Sequence, residues 1–272
     1  MIKVKIDKKI LLSIFKFGLP VLPTSLIDMS QGFFDKLIIQ KFLGFYLTGI
    51  YGHSQSYFSM FLQSARAVAR VISPLLIKNI TKKNLNNVDK LNETNVLIFK
   101  ISLFLGLFVI FLSEYFISIF TFNKFTESAV LVNIWYSSLF IIYFSNTVLS
   151  VLIVKKLTKF IMHSSVYITV CIFILLFYFA KYMSIEQIVY ILVFKRFIVV
   201  IIRYYKAQDF INRNYLFKFI QYFLIYLAIT YLNSEISINI FIKIGLIVIS
   251  GIDCFIDFNK KNKIINYLQK NV

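Results

Sequence analysis

Two acidic residues and two arginines stand where apolar runs would otherwise be unbroken. Asp28 and Asp35 fall in the first run, and Arg66 and Arg70 fall in the second. Along residues 10–39 the polar or chain-bending positions are Lys16, Pro20, Thr24, Asp28, Gln31 and Asp35. At roughly 100° per residue they occupy an arc of about 120° on a helix, with Ile, Leu and Phe on the rest. In the second run Gly52, Gln55, Ser56, Ser59, Gln63, Arg66, Arg70 and Ser73 share an arc of about 100°. Guanidiniums one turn apart suit a phosphate or pyrophosphate, which they can grip with fork-shaped donors. A carboxylate in such surroundings can act as a proton or cation switch, because burial and nearby arginine push its protonation in opposite directions. Structural readings stand beside these: Arg70 snorkelling to the interface, Arg66 pairing with Asp28 or Asp35, and Asp35 exposed at an outer mouth.

The elements that must carry these residues are membrane helices. Of 272 residues, 59% are hydrophobic and 15% charged, and the mean hydropathy is +0.77. A soluble surface cannot be built from so apolar a chain. Apolar segments lie near 10–35, 47–77, 96–120, 129–154, 160–180, 185–203, 216–233 and 236–256. Most exceed the length needed to cross a core of about 30 Å at about 1.5 Å per residue. With no alternating barrel pattern, the chain is expected to be all-α: a polytopic bundle of about eight transmembrane helices forming a single membrane domain over residues 1–272.

The net charge of +18 is distributed by segment. One set of connections holds Lys3, Lys5, Lys8 and Lys9, then Lys78, Lys82, Lys83 and Lys90, then Lys155, Lys156 and Lys159. It continues with Arg203, Lys206, Arg213 and Lys218, and ends on Lys260, Lys261, Lys263 and Lys270. The alternate set holds Lys36, Lys41, Lys124 and Lys181. This bias predicts that both termini are cytoplasmic, in a multi-pass protein of the cell (inner) membrane. Nucleic acid is not an expected partner, since the basic residues form no continuous face. The N-terminus reads as an uncleaved first span, because Lys16 and two prolines interrupt the run after Ile10.

The three prolines and five of the eight glycines fall in or between the first two spans, which places kinks and moving parts there. The later spans are smoother, and Asn79–Asn95 and Tyr204–Asn214 are expected as short surface helices or turns. Lys195 and Arg196 interrupt the sixth span; their side chains are expected to reach the cytoplasmic interface, the alternative being that they line the same cavity. Glu114 reads as interfacial. Asn133, Asn146 and Thr147 read as interhelical hydrogen-bonding groups. Cys171 and Cys254 read as small buried hydrophobes. His53 and His163 have no partner at ligand spacing, so no metal or cofactor is expected. No HExxH, glycine-loop lysine, loop DxD or glycine-rich strand-to-helix turn occurs, and an enzyme is not expected.

The order of short motifs in the first 78 residues carries a resemblance. Phe17-Gly-Leu-Pro-Val-Leu-Pro23, Asp35-Lys-Leu-Ile-Ile39, Phe42-Leu-Gly44, Gly49-Ile-Tyr51 and Ser73-Pro74-Leu75 are similar in order and spacing to the second half of Wzx-type polysaccharide (O-antigen) flippases. These belong to the multidrug/oligosaccharidyl-lipid/polysaccharide exporter superfamily. The resemblance implies a lobe of a two-lobed helical transporter, with the Ser-Pro pair ending the family's eighth span and the N-terminal lobe absent from this sequence. The implied partners are a lipid-linked oligosaccharide, membrane lipids, and either a separate N-terminal lobe or a second copy. Arg66 and Arg70 would hold a polyprenyl pyrophosphate, and Gln31, Gln55 and Gln63 would meet sugar hydroxyls. Asp28 or Asp35 would couple transport to protons or cations. The competing reading is a non-transporting helical subunit of a polysaccharide assembly complex.

Overall fold

The computed structural model describes residues 21–82, 85–236, 242–255 and 257, with isolated positions 12, 15, 18 and 19. Some side chains within these ranges, Asp28 and Gln31 among them, lie outside the description. Every regular element among the described residues is helical. In chain order these are α1 (Val21–Leu43), α2 (Phe45–Thr81), α3 (Leu85–Thr121), α4 (Ser128–Val154) and α5 (Thr158–Phe179). A short 3-10 turn (Ala180–Tyr182) leads to α6 (Ile185–Ala207) and α7 (Arg213–Ile236). Residues 242–255 are again helical.

Five of these helices are long and apolar enough to cross a membrane: Phe45–Thr81, Leu91–Thr121, Ser128–Val154, Thr158–Tyr182 and Arg213–Ser234. They mark a multi-pass membrane protein. The expected count of eight is not reached among the described residues, for two reasons. Helices α1 and α6 have the length, but Asp28, Asp35, Lys36 and Lys41 load the first, and Glu186, Lys195, Arg196, Arg203 and Lys206 load the second. The last expected span, 236–256, is only partly described. The polar connections also differ from expectation. Helix α2 runs through Pro74 to Thr81, beyond the 77 expected, and α3 begins at Leu85, so the residues expected as short surface helices or turns mostly extend two long helices.

Local sequence explains where the elements turn. Between α1 and α2, Gly44 adopts φ +91° and its N–H bonds the carbonyls of Ile39 and Gln40, both at 3.2 Å. A left-handed residue at a helix C-terminus is strained for any side chain but cheap for glycine, and it folds α1 back along α2. Helix α6 starts with a reciprocal cap. The Gln187 N–H donates to Ser184 Oγ at 3.3 Å, and the Ser184 N–H donates to Gln187 Oε1 at 3.0 Å. Two otherwise orphaned donors are satisfied, and the register of everything downstream on α6 is fixed.

Helix α4 is the axis of the bundle. Its buried set runs nearly without interruption from Ser128 to Ile141 and includes Trp135, Ser137 and Ser138. Helices α2, α3, α6 and α7 all pack against it. Lipid is as apolar as leucine, so close fit rather than water exclusion holds such helices together. The fit is largely aromatic. Phe144 stacks on Phe219 at 4.4 Å, Phe99 on Tyr215 at 5.5 Å, and Trp135 on Phe58 at 5.1 Å. Each such pair contributes about 0.5–1.5 kcal/mol beyond its buried area. Buried hydrogen bonds add direction: Ser113 donates to Asn133 Oδ1 at 3.1 Å, and Asn95 to Thr147 Oγ1 at 3.0 Å. Asn133 and Thr147 thus serve the interhelical role expected of them. The outer surface is apolar, with Tyr115, Phe116, Ile119 and Phe120 of α3 and Phe177, Tyr178 and Phe179 of α5 all exposed, as a lipid-facing wall requires.

Candidate functional site

The polar stripe of α2 faces away from the bundle. Its opposite side buries Ile50, Tyr51, Phe58, Ala65, Leu76 and Ile80. Gln63, Arg66 and Arg70 are exposed, while Gln55 is half-buried where α1 crosses. A β-carbon on Gly32 of α1 would stand 3.7 Å from the Gln55 amide, and one on Gly52 of α2 would meet the Lys36 ammonium at 3.7 Å. The two glycines therefore let the arms of the hairpin bring polar side chains together.

At that crossing Asp35 is buried, with 4% of its surface exposed. The Tyr51 hydroxyl donates to Asp35 Oδ2 at 3.1 Å, and Gln55 Nε2 donates to the Tyr51 oxygen at 2.9 Å. Asp35 Oδ1 has no hydrogen-bond partner. The positive charges that act on this carboxylate come from Lys195 and Arg196 of α6. Asp35 is thus neither exposed at a mouth nor paired with Arg66, as two of the sequence readings had it. The side chains of Asp28 and Gln31 lie outside the described residues.

Lys195 and Arg196 do not reach for an interface. Lys195 is 3% exposed and its ammonium lies 5.6 Å from the Phe173 ring. The Arg196 guanidinium sits 4.9 Å from the ring of Phe58 and 5.1 Å from that of Trp135. Planar guanidinium on aromatic faces is a favoured arrangement when water is scarce. Both residues line a cavity of about 680 Å³ with Arg66 and Arg203, so the alternative sequence reading of this pair is the one observed. The hydroxyls of Ser145, Ser165 and Thr169 also line it, and Ile, Leu and Val complete the wall. Among the described residues, no acidic side chain lines it.

Arg203 is the fixed member of the set. Its Nε donates to Ser164 Oγ at 3.0 Å, and its Nη2 donates to the Ile161 carbonyl at 3.0 Å and to Ser165 Oγ. These bonds clip α6 to α5 at the end of the cavity nearest Lys155 and Lys156. From Lys195 to Arg203 is two turns of helix, about 12 Å, so positive charge extends along the cavity rather than sitting at one point. An anion entering the cavity would be attracted along its length.

Of the sequence candidates, Arg66 lines the cavity, and Gln55 reaches the Tyr51–Asp35 pair. Arg70 and Gln63 do neither: they stay exposed on α2. Sequence reasoning missed Arg203 and Tyr51 and ranked Lys195 and Arg196 too low. A signal was present, because Lys195, Arg196 and Arg203 recur at i, i+1 and i+8, a spacing that keeps them on one helical face. Cys171 is exposed rather than buried. His53 stacks on Phe125 at 4.7 Å and shares a 2.8 Å hydrogen bond with Ser128.

No curated protein and no solved structure matches this chain. Residues 1–130 match the model of a family described as polysaccharide biosynthesis protein, a stretch that holds Asp35, Tyr51, Gln55 and Arg66 but stops short of Lys195, Arg196 and Arg203.

Proposed function

We propose that this protein moves a polyprenyl-pyrophosphate-linked oligosaccharide across the cell (inner) membrane during surface polysaccharide synthesis, with both termini cytoplasmic. The observation that carries this reading is the cavity lined by Arg66, Lys195, Arg196 and Arg203, with no acid among the described residues that line it. Pyrophosphate matches it in sign, in its several acceptor oxygens and in size, since about 680 Å³ lies within the range of small-ligand sites. Each charge-assisted hydrogen bond to such a group contributes about 1.5–3 kcal/mol. The apolar walls suit the first part of a prenyl chain, and Ser145, Ser165 and Thr169 suit hydroxylated sugar. Arg66 and the exposed Gln63 and Arg70 lie along one face of α2, a polar track by which a glycan could pass. Similarity of residues 1–130 to a polysaccharide biosynthesis family supports the substrate class. No step of this process is enzymatic.

The test is reconstitution of the full chain in vesicles carrying a polyprenyl-pyrophosphate oligosaccharide. The protein should expose the sugar to an external glycosidase, and Arg66→Ala with Lys195→Met should stop it. Equal exposure with and without protein sinks the reading.

A second reading is favoured by the outward stripe of α2. Gln63, Arg66 and Arg70 are exposed on a helix apolar enough to span lipid, and polar groups there call for protein or water beside them. In a non-transporting subunit of an assembly complex, that stripe would bind a partner helix. Substitutions there would then cost complex assembly and leave anion binding intact.

A further inference from the structure

The described cations that line the cavity stand at two levels. At the deep level Arg196 packs on Phe58 of α2 and Trp135 of α4, and Lys195 lies against Phe173 of α5. A shift of two helical turns, about 12 Å, leads to the basal level. Arg66 follows Phe58 by that interval on α2, and Arg203 follows Arg196 by it on α6. Ser164 and Ser165, the partners of Arg203 on α5, precede Phe173 by the same interval. The register holds across the bundle, since Tyr204 of α6 meets Phe144 of α4 just as Arg196 meets Trp135. The offset is therefore one of depth, shared by the helices that form the wall.

Between the levels the cavity is lined by Leu62, Ile141, Val199 and Val200, with the Thr169 hydroxyl beside them. Arg203 is pinned to α5 by its three hydrogen bonds, and Arg196 is held over two rings. The levels do not merge around one small anion. Pyrophosphate is two phosphate tetrahedra sharing an oxygen, far shorter than the interval, so it is gripped at one level or the other.

We propose that the cavity is two anion sites in series, a basal one at Arg66 and Arg203 and a deep one at Lys195 and Arg196. The pyrophosphate head of the substrate is received at the basal level, nearest Lys155 and Lys156, and is then handed to the deep one. Its passage is divided into two shorter moves, each ending on two cations. The inference rests on the cavity being the anion site proposed above.

Inorganic pyrophosphate is to be titrated into the full chain in detergent, wild type beside Lys195→Met and Arg66→Ala. Calorimetry reads total binding. The emission of Trp135, the single tryptophan, reads the deep level through its contact with Arg196. Wild type should show two phases separated by about tenfold or more, the repulsion of two unit charges about 12 Å apart at an effective dielectric constant of about 20. Emission should follow one phase only. Lys195→Met should lose that phase and keep the other. Arg66→Ala should weaken the other about tenfold and leave the phase that emission follows no weaker.

A single phase weakened by both substitutions overturns the series and leaves one anion site standing. A single phase weakened by only one of them confines the anion to that level and also overturns the series. Absence of binding in every protein overturns the anion site itself, and the series falls with it. If a variant does not fold, wild type decides alone: emission that follows one of two phases sustains the proposal, and emission that follows both or neither overturns it.

Discussion

The hydroxyl of Tyr51 and the carboxylate of Asp35 join the two arms of the α1–α2 hairpin through a 3.1 Å hydrogen bond made inside the bundle, sixteen residues apart in the chain. Gln55 backs the phenol from the next turn at 2.9 Å, so the three side chains act as one unit. Tyr51→Phe removes the donor while keeping the ring that faces Trp135 at 6.0 Å. Asp35 is then left with no hydrogen-bond donor on either oxygen. Thermal unfolding in detergent should show a loss of about 1–3 kcal/mol, and Gln55→Leu a smaller one.

Gly106 has the least room for a side chain of any glycine in the protein. A β-carbon there would lie 2.5 Å from Tyr226 Cε2 and 2.8 Å from Tyr136 Cε1. Both rings are buried and hydrogen-bonded, Tyr136 to the Ser102 carbonyl and Tyr226 to the Asn133 carbonyl, each at 3.1 Å. Neither can swing aside without losing its bond. Gly106→Ala should therefore destabilise the protein by about 1–3 kcal/mol. Gly245→Ala, with nothing within 4 Å of the added carbon, should leave the unfolding temperature within error of wild type.

Arg203 separates charge from geometry. Lysine at this position keeps the charge facing the cavity but cannot reproduce a guanidinium bonding Ser164, Ser165 and the Ile161 carbonyl together. Arg203→Lys should lower stability by about 1.5–3 kcal/mol and still allow pyrophosphate to bind. A fully stable Arg203→Lys protein would show that the α5–α6 clip contributes little.

Arg66 and Arg70 differ in kind although one turn apart. Only Arg66 lines the cavity, so Arg66→Ala should weaken pyrophosphate binding about tenfold, the loss of one charge-assisted contact. Arg70→Ala should change it less than twofold. Equal losses at the two positions would place the anion along the outer stripe instead of in the cavity.

The helical class and most helix limits were legible because apolar length alone fixes them: segment 129–154 appears as Ser128–Val154, and 185–203 as Ile185–Ala207. Helical spacing also identified the polar face of α2. It could not say which part of that face touches other protein, which is why Arg66 and Arg70 looked alike and Asp35 looked exposed. Lys195 and Arg196 were misjudged for a physical reason. Long cationic side chains can snorkel even from the middle of a span, and only the tertiary placement of Phe58, Trp135 and Phe173 supplies these two with an alternative to water. The segment expected at 47–77 runs a few residues further at each end, as Phe45–Thr81, with Pro74 inside the helix.

The ammonium of Lys100 on α3 lies 2.8 Å from Asp253 and 2.7 Å from Asp257, and the helix bearing those carboxylates brings Gly251 against Phe104. Lys100 is made 153 residues before the first of its partners. During synthesis these two carboxylates become available to Lys100 only after some 153 further residues have been made. Their pairing neutralises the ammonium and gives both aspartates a place at once. Helix α3 is thus completed by a segment made long after it.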